Sequence, residues 1–218
     1  MKNLAICVVG LQLALLLVIV AIAFSAPSYA KDSYAGVSRQ SAFAKVAYCK
    51  DCHGPSAQGF RGYYAIPRLA GQQPQYLKNQ LRAFVERNRP NPIMSNVAHV
   101  LEPAMIEAIT SYFQRLDPKP LGGGPKRLVA EGKQIFQNGV PQDNVAACAA
   151  CHGPRATGHG EIPRLAGQVY WYVVKELTDW PKERGQKRPD TSIIMKPVAH
   201  SLTHSEIEAV AAYVSNLE

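Results

Sequence analysis

The feature that most constrains this chain is that it repeats itself. Cys49-Lys50-Asp51-Cys52-His53-Gly54-Pro55 returns as Cys148-Ala149-Ala150-Cys151-His152-Gly153-Pro154. Ile66-Pro67-Arg68-Leu69-Ala70-Gly71-Gln72 returns as Ile162-Pro163-Arg164-Leu165-Ala166-Gly167-Gln168. Val97, Ala98, His99, Leu101, Ile106, Glu107, Ala108, Tyr112 and Leu116 match Val198, Ala199, His200, Leu202, Ile207, Glu208, Ala209, Tyr213 and Leu217. The matches span each unit from end to end, which is the mark of a duplicated domain and not of a short-period solenoid. Between the copies, residues 117–125 hold three prolines and three glycines, a composition that cannot continue a helix or a central strand. The expected organisation is therefore a leader at 1–30, an N-terminal domain at 31–120 and a C-terminal domain at 121–218.

The leader is set aside before any fold reasoning. Lys2 precedes an almost unbroken apolar run from Leu4 to Phe24, and Ser28-Tyr29-Ala30 offers small residues at −3 and −1 of a cleavage site. That is the layout of a secretory signal peptide. The run is also 21 residues long, about 31 Å as a helix, which suffices to cross a bilayer. Cleaved signal and retained anchor both put Lys31 onward outside the cytoplasm. Cys7 falls in the leader, which leaves Cys49, Cys52, Cys148 and Cys151 in the exported part.

Each unit reads as helical with long loops. In the first, apolar residues recur at helical spacing from Gln75 to Arg87, with Pro74 at the first turn. Tyr172, Val173, Leu177 and Trp180 repeat the pattern, and Pro181 is expected to bound that helix. The last helix opens at Pro103 in the first copy and, in the second, with a capping-box pattern of Thr203 and Glu206. No alternating strand pattern of useful length is present. The expected fold is all-α, with loops wrapped around something large.

The two C-x-x-C-H segments name that object. Two thiols three residues apart on one helical turn reach both vinyl groups of one haem, and the following His places an imidazole nitrogen on the iron. Zinc fits poorly, because 95 residues separate the cysteine pairs and no second pair of Cys or His lies near either. A thioredoxin-like dithiol lacks its βαβ setting, and plain disulfides leave the adjacent His unexplained. The expectation is two covalently attached haem c groups, on Cys49 and Cys52 with axial His53, and on Cys148 and Cys151 with axial His152.

Beyond the leader the methionines are Met94, Met105 and Met195. Met94 and Met195 are repeat-equivalent, in loops after the second helix of each unit, whereas Met105 faces Glu206 in the other copy. Duplication thus selects Met94 and Met195 as sixth ligands. His99 and His200, also repeat-equivalent and five residues further on, are the competitors, or they cap or line the start of the last helix. Pro67 and Pro163 are positioned to offer each axial His a carbonyl, and Arg68 and Arg164 to pair with haem propionates.

These motifs resemble the cytochrome c4 family, two-domain relatives of the class I cytochromes c. The resemblance rests on both C-x-x-C-H-G-P segments, both I-P-R-L-A-G-Q segments, Tyr76 to Phe84 before Arg89-Pro90-Asn91, and M-x-x-V-A-H-x-L at Met94 and Met195. It implies His/Met ligation in both domains and a Pro carbonyl on each axial His. It further implies haem edges facing across a domain interface, and a periplasmic carrier, often membrane-associated, passing electrons toward a terminal oxidase. One departure is local: the stretch before Cys49 lacks the Gly-x-x-x-aromatic spacing of Gly132 to Phe136, so the first helix is expected to pack differently.

Charge separates the two units. Residues 31–120 carry 12 Lys and Arg against 6 Asp and Glu, net +6, and residues 121–218 carry 11 against 10, net +1. The first is the better candidate for docking an acidic redox partner or an anionic membrane surface, with a solvated basic face as the plain alternative. Nucleic acid is not an expected partner. Three functions follow in order: an electron carrier between respiratory components, with a quinol-oxidising complex or dehydrogenase as donor and a terminal oxidase as acceptor; a diheme subunit of a dehydrogenase such as a flavocytochrome; and a haem enzyme with one open site.

Overall fold

The computed structural model describes residues 36–62, 64–183 and 192–218. The leader expected at 1–30 lies outside the described residues. The described residues pack as one compact unit. Within it the first half folds as α1 (Arg39–His53), a two-stranded hairpin of β1 (Phe60–Arg61) and β2 (Ala65–Ile66), α2 (Pro74–Val85), α3 (Pro92–His99) and α4 (Pro103–Gln114). The second half folds as α5 (Val129–Asn138), α6 (Cys148–His152), α7 (Tyr170–Glu183), α8 (Ser192–Ser201) and α9 (His204–Ser215). The strands are antiparallel with Phe60 opposite Ile66.

Each half closes its own core. Val46, Ala57, Ala70, Leu77, Leu101, Ile109 and Phe113 form the first. Phe136, Val140, Ala166, Val174, Ile207, Val210 and Val214 are among the residues of the second. The last helix is the floor of both. Gly71 N–H donates to the Phe113 carbonyl, and Gly167 N–H to the Val214 carbonyl, at 2.8 and 2.9 Å. Those two bonds hold the I-P-R-L-A-G-Q loops in register on α4 and α9.

The first helices differ as the missing glycine predicts. In the second half α5 crosses α9 so closely that a Cβ on Gly132 would overlap the Ala209 carbonyl. Phe136 then sits fully buried, its ring 5.4 Å from that of Tyr213. In the first half Phe43 meets the equivalent Tyr112 at 6.2 Å, but Arg39 stands four residues before it. The helices cannot close, and Phe43 remains 49% exposed. The chain also reaches the cysteines differently. α1 runs unbroken for 15 residues into His53, whereas α5 stops at Gly139, φ 72°, and a loop delivers the five-residue α6.

Two expectations are corrected. Met94 and Met195 lie on helices, α3 and α8, and not in loops. Asn91 starts α3 by accepting the Met94 N–H at 2.9 Å, with Pro92 in the first turn, where its missing N–H costs nothing. α7 continues through Pro181 to Glu183; near a C-terminus the proline removes one helical bond and the last turn persists. The capping box of α9 is present, with Thr203 Oγ1 accepting the Glu206 N–H and Glu206 Oε2 accepting the Thr203 N–H. Among the described residues no helix is long and apolar enough to cross a membrane.

Candidate haem sites

Both cysteine pairs occupy the last turn of a helix that ends on histidine. Gly54 and Gly153, at φ 88° and 79°, turn the chain away directly afterwards, a left-handed step that costs glycine nothing. The N–H of Gly59 and of Gly158 then closes each turn onto the carbonyl of His53 or His152, at 2.8 and 2.9 Å. In both copies the first cysteine is half-buried and the second exposed. In both copies the histidine is buried.

The loops that follow are superimposable in their bonding. The Ala57 carbonyl accepts from Leu69 and Ala70, and the Ala156 carbonyl from Leu165 and Ala166. Both alanines are fully buried in the left-handed region at φ 55°, a strain that recurs at the same place in each copy. This fold-back carries each proline carbonyl onto its histidine. His53 Nδ1 lies 2.8 Å from the Pro67 oxygen, and His152 Nδ1 lies 2.9 Å from the Pro163 oxygen.

That contact fixes the tautomer. A carbonyl oxygen only accepts, so Nδ1 carries the proton and Nε2 presents its lone pair. Burial holds the His53 imidazole below its ordinary pKa, partly offset by the Pro67 bond. Burial does the same for His152, opposed by the Pro163 bond and reinforced by His159. Each is a neutral imidazole aimed as a metal ligand requires. The Cys49 and Cys148 thiols are pushed up to about 11 by burial, the opposite of the lowered thiol of a redox dithiol. All four cysteines are free of disulfides. Among the described residues no group of three or more His, Cys, Asp or Glu could hold a metal ion. Paired thiols, a fixed Nε2 lone pair and a carbonyl behind it are the donor set that haem c requires.

Met94 and Met195 are half-buried on α3 and α8, which pack against α2 and α7. Met105, on α4, packs into the first core. His99 and His200 are exposed at the ends of α3 and α8. His200 lines an open cleft with His204 and Ile207 at the start of α9.

Arg68 and Arg164 sit where the two halves meet. Arg68 is buried, its Nε donating to the Ala70 carbonyl, Nη1 to the Pro118 carbonyl and Nη2 to Asp117. Arg164 Nε donates to the Ala166 carbonyl, and its Nη2 is 3.9 Å from the same Asp117 oxygen. Burial pushes the Arg68 guanidinium down to about 10; Arg164 adds to the shift and Asp117 opposes it. Arg68 thus remains a cation at neutral pH. It is tied to the segment that joins the halves more than sequence reasoning foresaw.

Sequence reasoning missed three residues of this junction. Gln72 Oε1 accepts the Arg164 N–H at 2.7 Å while its Nε2 donates to the Arg164 carbonyl at 3.0 Å. Gln168 does the same for Arg68, at 2.7 and 3.2 Å. The repeat carried a signal for two of them, since both glutamines close the repeated I-P-R-L-A-G-Q segment. Arg89 crosses to the other half as well, with Nη2 donating to Tyr172 and pairing with Glu176 at 3.0 Å.

Comparison with known proteins follows the same lines. A cytochrome c family model matches residues 129–218. Cytochrome c-552 of Acidithiobacillus ferridurans is 36% identical over 174 residues, 78% of this chain and 73% of that protein. The thiosulfate dehydrogenase electron acceptor of Thiomonas intermedia is 35% identical, over 78% of this chain and 79% of its own. The solved cytochrome c4 of Acidithiobacillus ferrooxidans superposes with a TM-score of 0.68 at 36% identity, covering 78% of this chain and 99% of that one. With two tandem class I cytochrome c domains, this chain belongs to the cytochrome c4 family of electron-transfer proteins, which hold haem c covalently.

Proposed function

We propose that this protein is a periplasmic diheme carrier that moves electrons between respiratory components. One haem c is assigned to Cys49 and Cys52 with His53 and Met94 as axial ligands, the other to Cys148 and Cys151 with His152 and Met195. The observation that carries the assignment is the doubled bond from His Nδ1 to a proline carbonyl beside a cysteine pair. Haem iron supplies reversible one-electron chemistry. The residues do the rest. The cysteines fix the ring, Pro67 and Pro163 hold each imidazole in one orientation, and the paired ligands leave no open coordination position. Arg68 and Arg164 gather two guanidinium charges about one exposed Asp117, a cationic junction suited to propionates.

The net +6 of residues 31–120 supports docking of an acidic partner through the N-terminal half, or association with an anionic membrane surface. The leading pathway runs from a quinol-oxidising complex or dehydrogenase to a terminal oxidase. A second reading, a diheme acceptor working with a dehydrogenase, is favoured by the 35% identity to a protein named for accepting electrons from thiosulfate dehydrogenase. Stopped-flow mixing separates them. Rapid reduction by thiosulfate dehydrogenase with thiosulfate supports the second. Rapid oxidation by a terminal oxidase, without reduction by that enzyme, supports the first. Loss of either rate at high salt identifies the basic face as the dock.

A further inference from the structure

The two glutamines that bind across the junction do not reach arbitrary backbone. Gln168 Oε1 accepts from Arg68 N–H at 2.7 Å. That N–H belongs to the same peptide group whose oxygen, on Pro67, accepts from His53 at 2.8 Å. In the other direction Gln72 Oε1 accepts from Arg164 N–H at 2.7 Å, and the oxygen of that peptide, on Pro163, accepts from His152 at 2.9 Å. Each histidine is thus joined through one peptide unit to a glutamine of the opposite half. Both glutamines are buried, at 4% and 6% exposure, so water does not compete for the bonds.

We infer that Gln168 and Gln72 are positioning residues that tune the haem of the domain they do not belong to. An acceptor on a peptide N–H pushes electron density toward that peptide's oxygen, and hydrogen bonds in such chains strengthen one another. A more electron-rich Pro67 oxygen draws harder on the His53 Nδ1–H and makes its Nε2 a stronger donor. A stronger donor favours ferric over ferrous iron. Gln168 therefore lowers the potential of the N-terminal haem, and Gln72 that of the C-terminal haem. The two domains set one another's potentials through a crossed pair of bonds, and the effect disappears when the halves part. This inference rests on the assignment of His53 and His152 as axial ligands.

The crossing is what makes the idea testable. In the full-length holoprotein, Gln168→Leu keeps bulk at the junction and removes the acceptor. The potential of each haem is read by NMR-monitored redox titration, with haem methyl signals assigned through the thioethers of Cys49 and Cys52 or of Cys148 and Cys151. Gln168→Leu should raise the N-terminal potential and leave the C-terminal one in place, and Gln72→Leu should do the reverse. The expected change is at least threefold in the reduced-to-oxidised ratio at fixed applied potential, about 28 mV for a one-electron couple. The 15N shift of His53 Nδ1 should move with Gln168→Leu, and that of His152 Nδ1 with Gln72→Leu.

Gln73 supplies the control. Its Nε2 also crosses the junction, to the carbonyls of Thr157 and Gly158, but touches neither the Pro67–Arg68 nor the Pro163–Arg164 peptide. Gln73→Ala should move neither potential. Equal shifts at both haems, a shift confined to the glutamine's own domain, or no shift would each overturn the inference. Gln168→Met, closer in shape to the natural residue, gives the same reading should the leucine variant not fold. Failure of the ligand assignment itself shows separately, as a wild-type His53 Nδ1 signal without a paramagnetic shift.

Discussion

Replacing Met94 by alanine should remove one of two methionine–iron charge-transfer bands from the oxidised protein and lower the potential of one haem. Met105→Leu should change neither, and should cost less than about 1.5 kcal/mol in a urea titration, as volume-conserving swaps do. Survival of both bands in Met94→Ala would remove Met94 from the ligand set. The difference lies in where each side chain stands. Met105 packs into the first core, while Met94 and Met195 hold matching half-buried places on α3 and α8. At this scale much was legible in advance. The His53–Pro67 and His152–Pro163 pairs followed from one repeated motif, while comparing copies yields Met94 and Met195 as the proposed sixth ligands. The partners of Gln72 and Gln168 were not legible. They lie 92 and 100 residues away, and no local pattern encodes which backbone a buried amide will meet.

At the level of elements, the contrast between α1 and α5 follows from a single position. Gly132 lets α5 close on α9, and Gly132→Ala should force the helices apart. Overpacking of this kind costs roughly 1–3 kcal/mol, and the carbonyl of Ala209 cannot rotate away as a side chain would. Chemical denaturation of holoprotein checks it, and an unchanged midpoint would mean that the crossing is looser than the structure has it. The missing glycine before Phe43 was visible in the sequence, and with it a first helix packed differently; the half-exposed ring came only with the structure. The helices bearing Met94 and Met195 were harder to see. Met94 and Met195 read as loop residues, yet Pro92 sits in the first turn of α3 and Pro197 is carried inside α8. Proline position relative to a helix start is a tertiary outcome where the segments are this short.

Across the whole molecule, two cores are joined by buried polar contacts. Arg89 is one of these, its guanidinium held charged by Tyr172 and Glu176 despite burial. Arg89→Ala should cost about 1.5–3 kcal/mol, the range for hydrogen bonds to charged groups, and should make thermal unfolding of the two halves less cooperative. A single unaltered transition would show that the junction does not depend on it. The unequal charges of the halves, net +6 and +1, should act on the proposed haems as well, since positive surroundings favour the reduced state. The central claim is two covalent haems with His/Met ligation in one chain. A spectroscopic redox titration of the purified protein, with haem counted by mass, tests it most directly. The account predicts two haems per chain, both with methionine–iron bands, titrating at two resolved potentials with the N-terminal haem the higher. A single haem, a bis-histidine spectrum, or one wave from indistinguishable haems would contradict it.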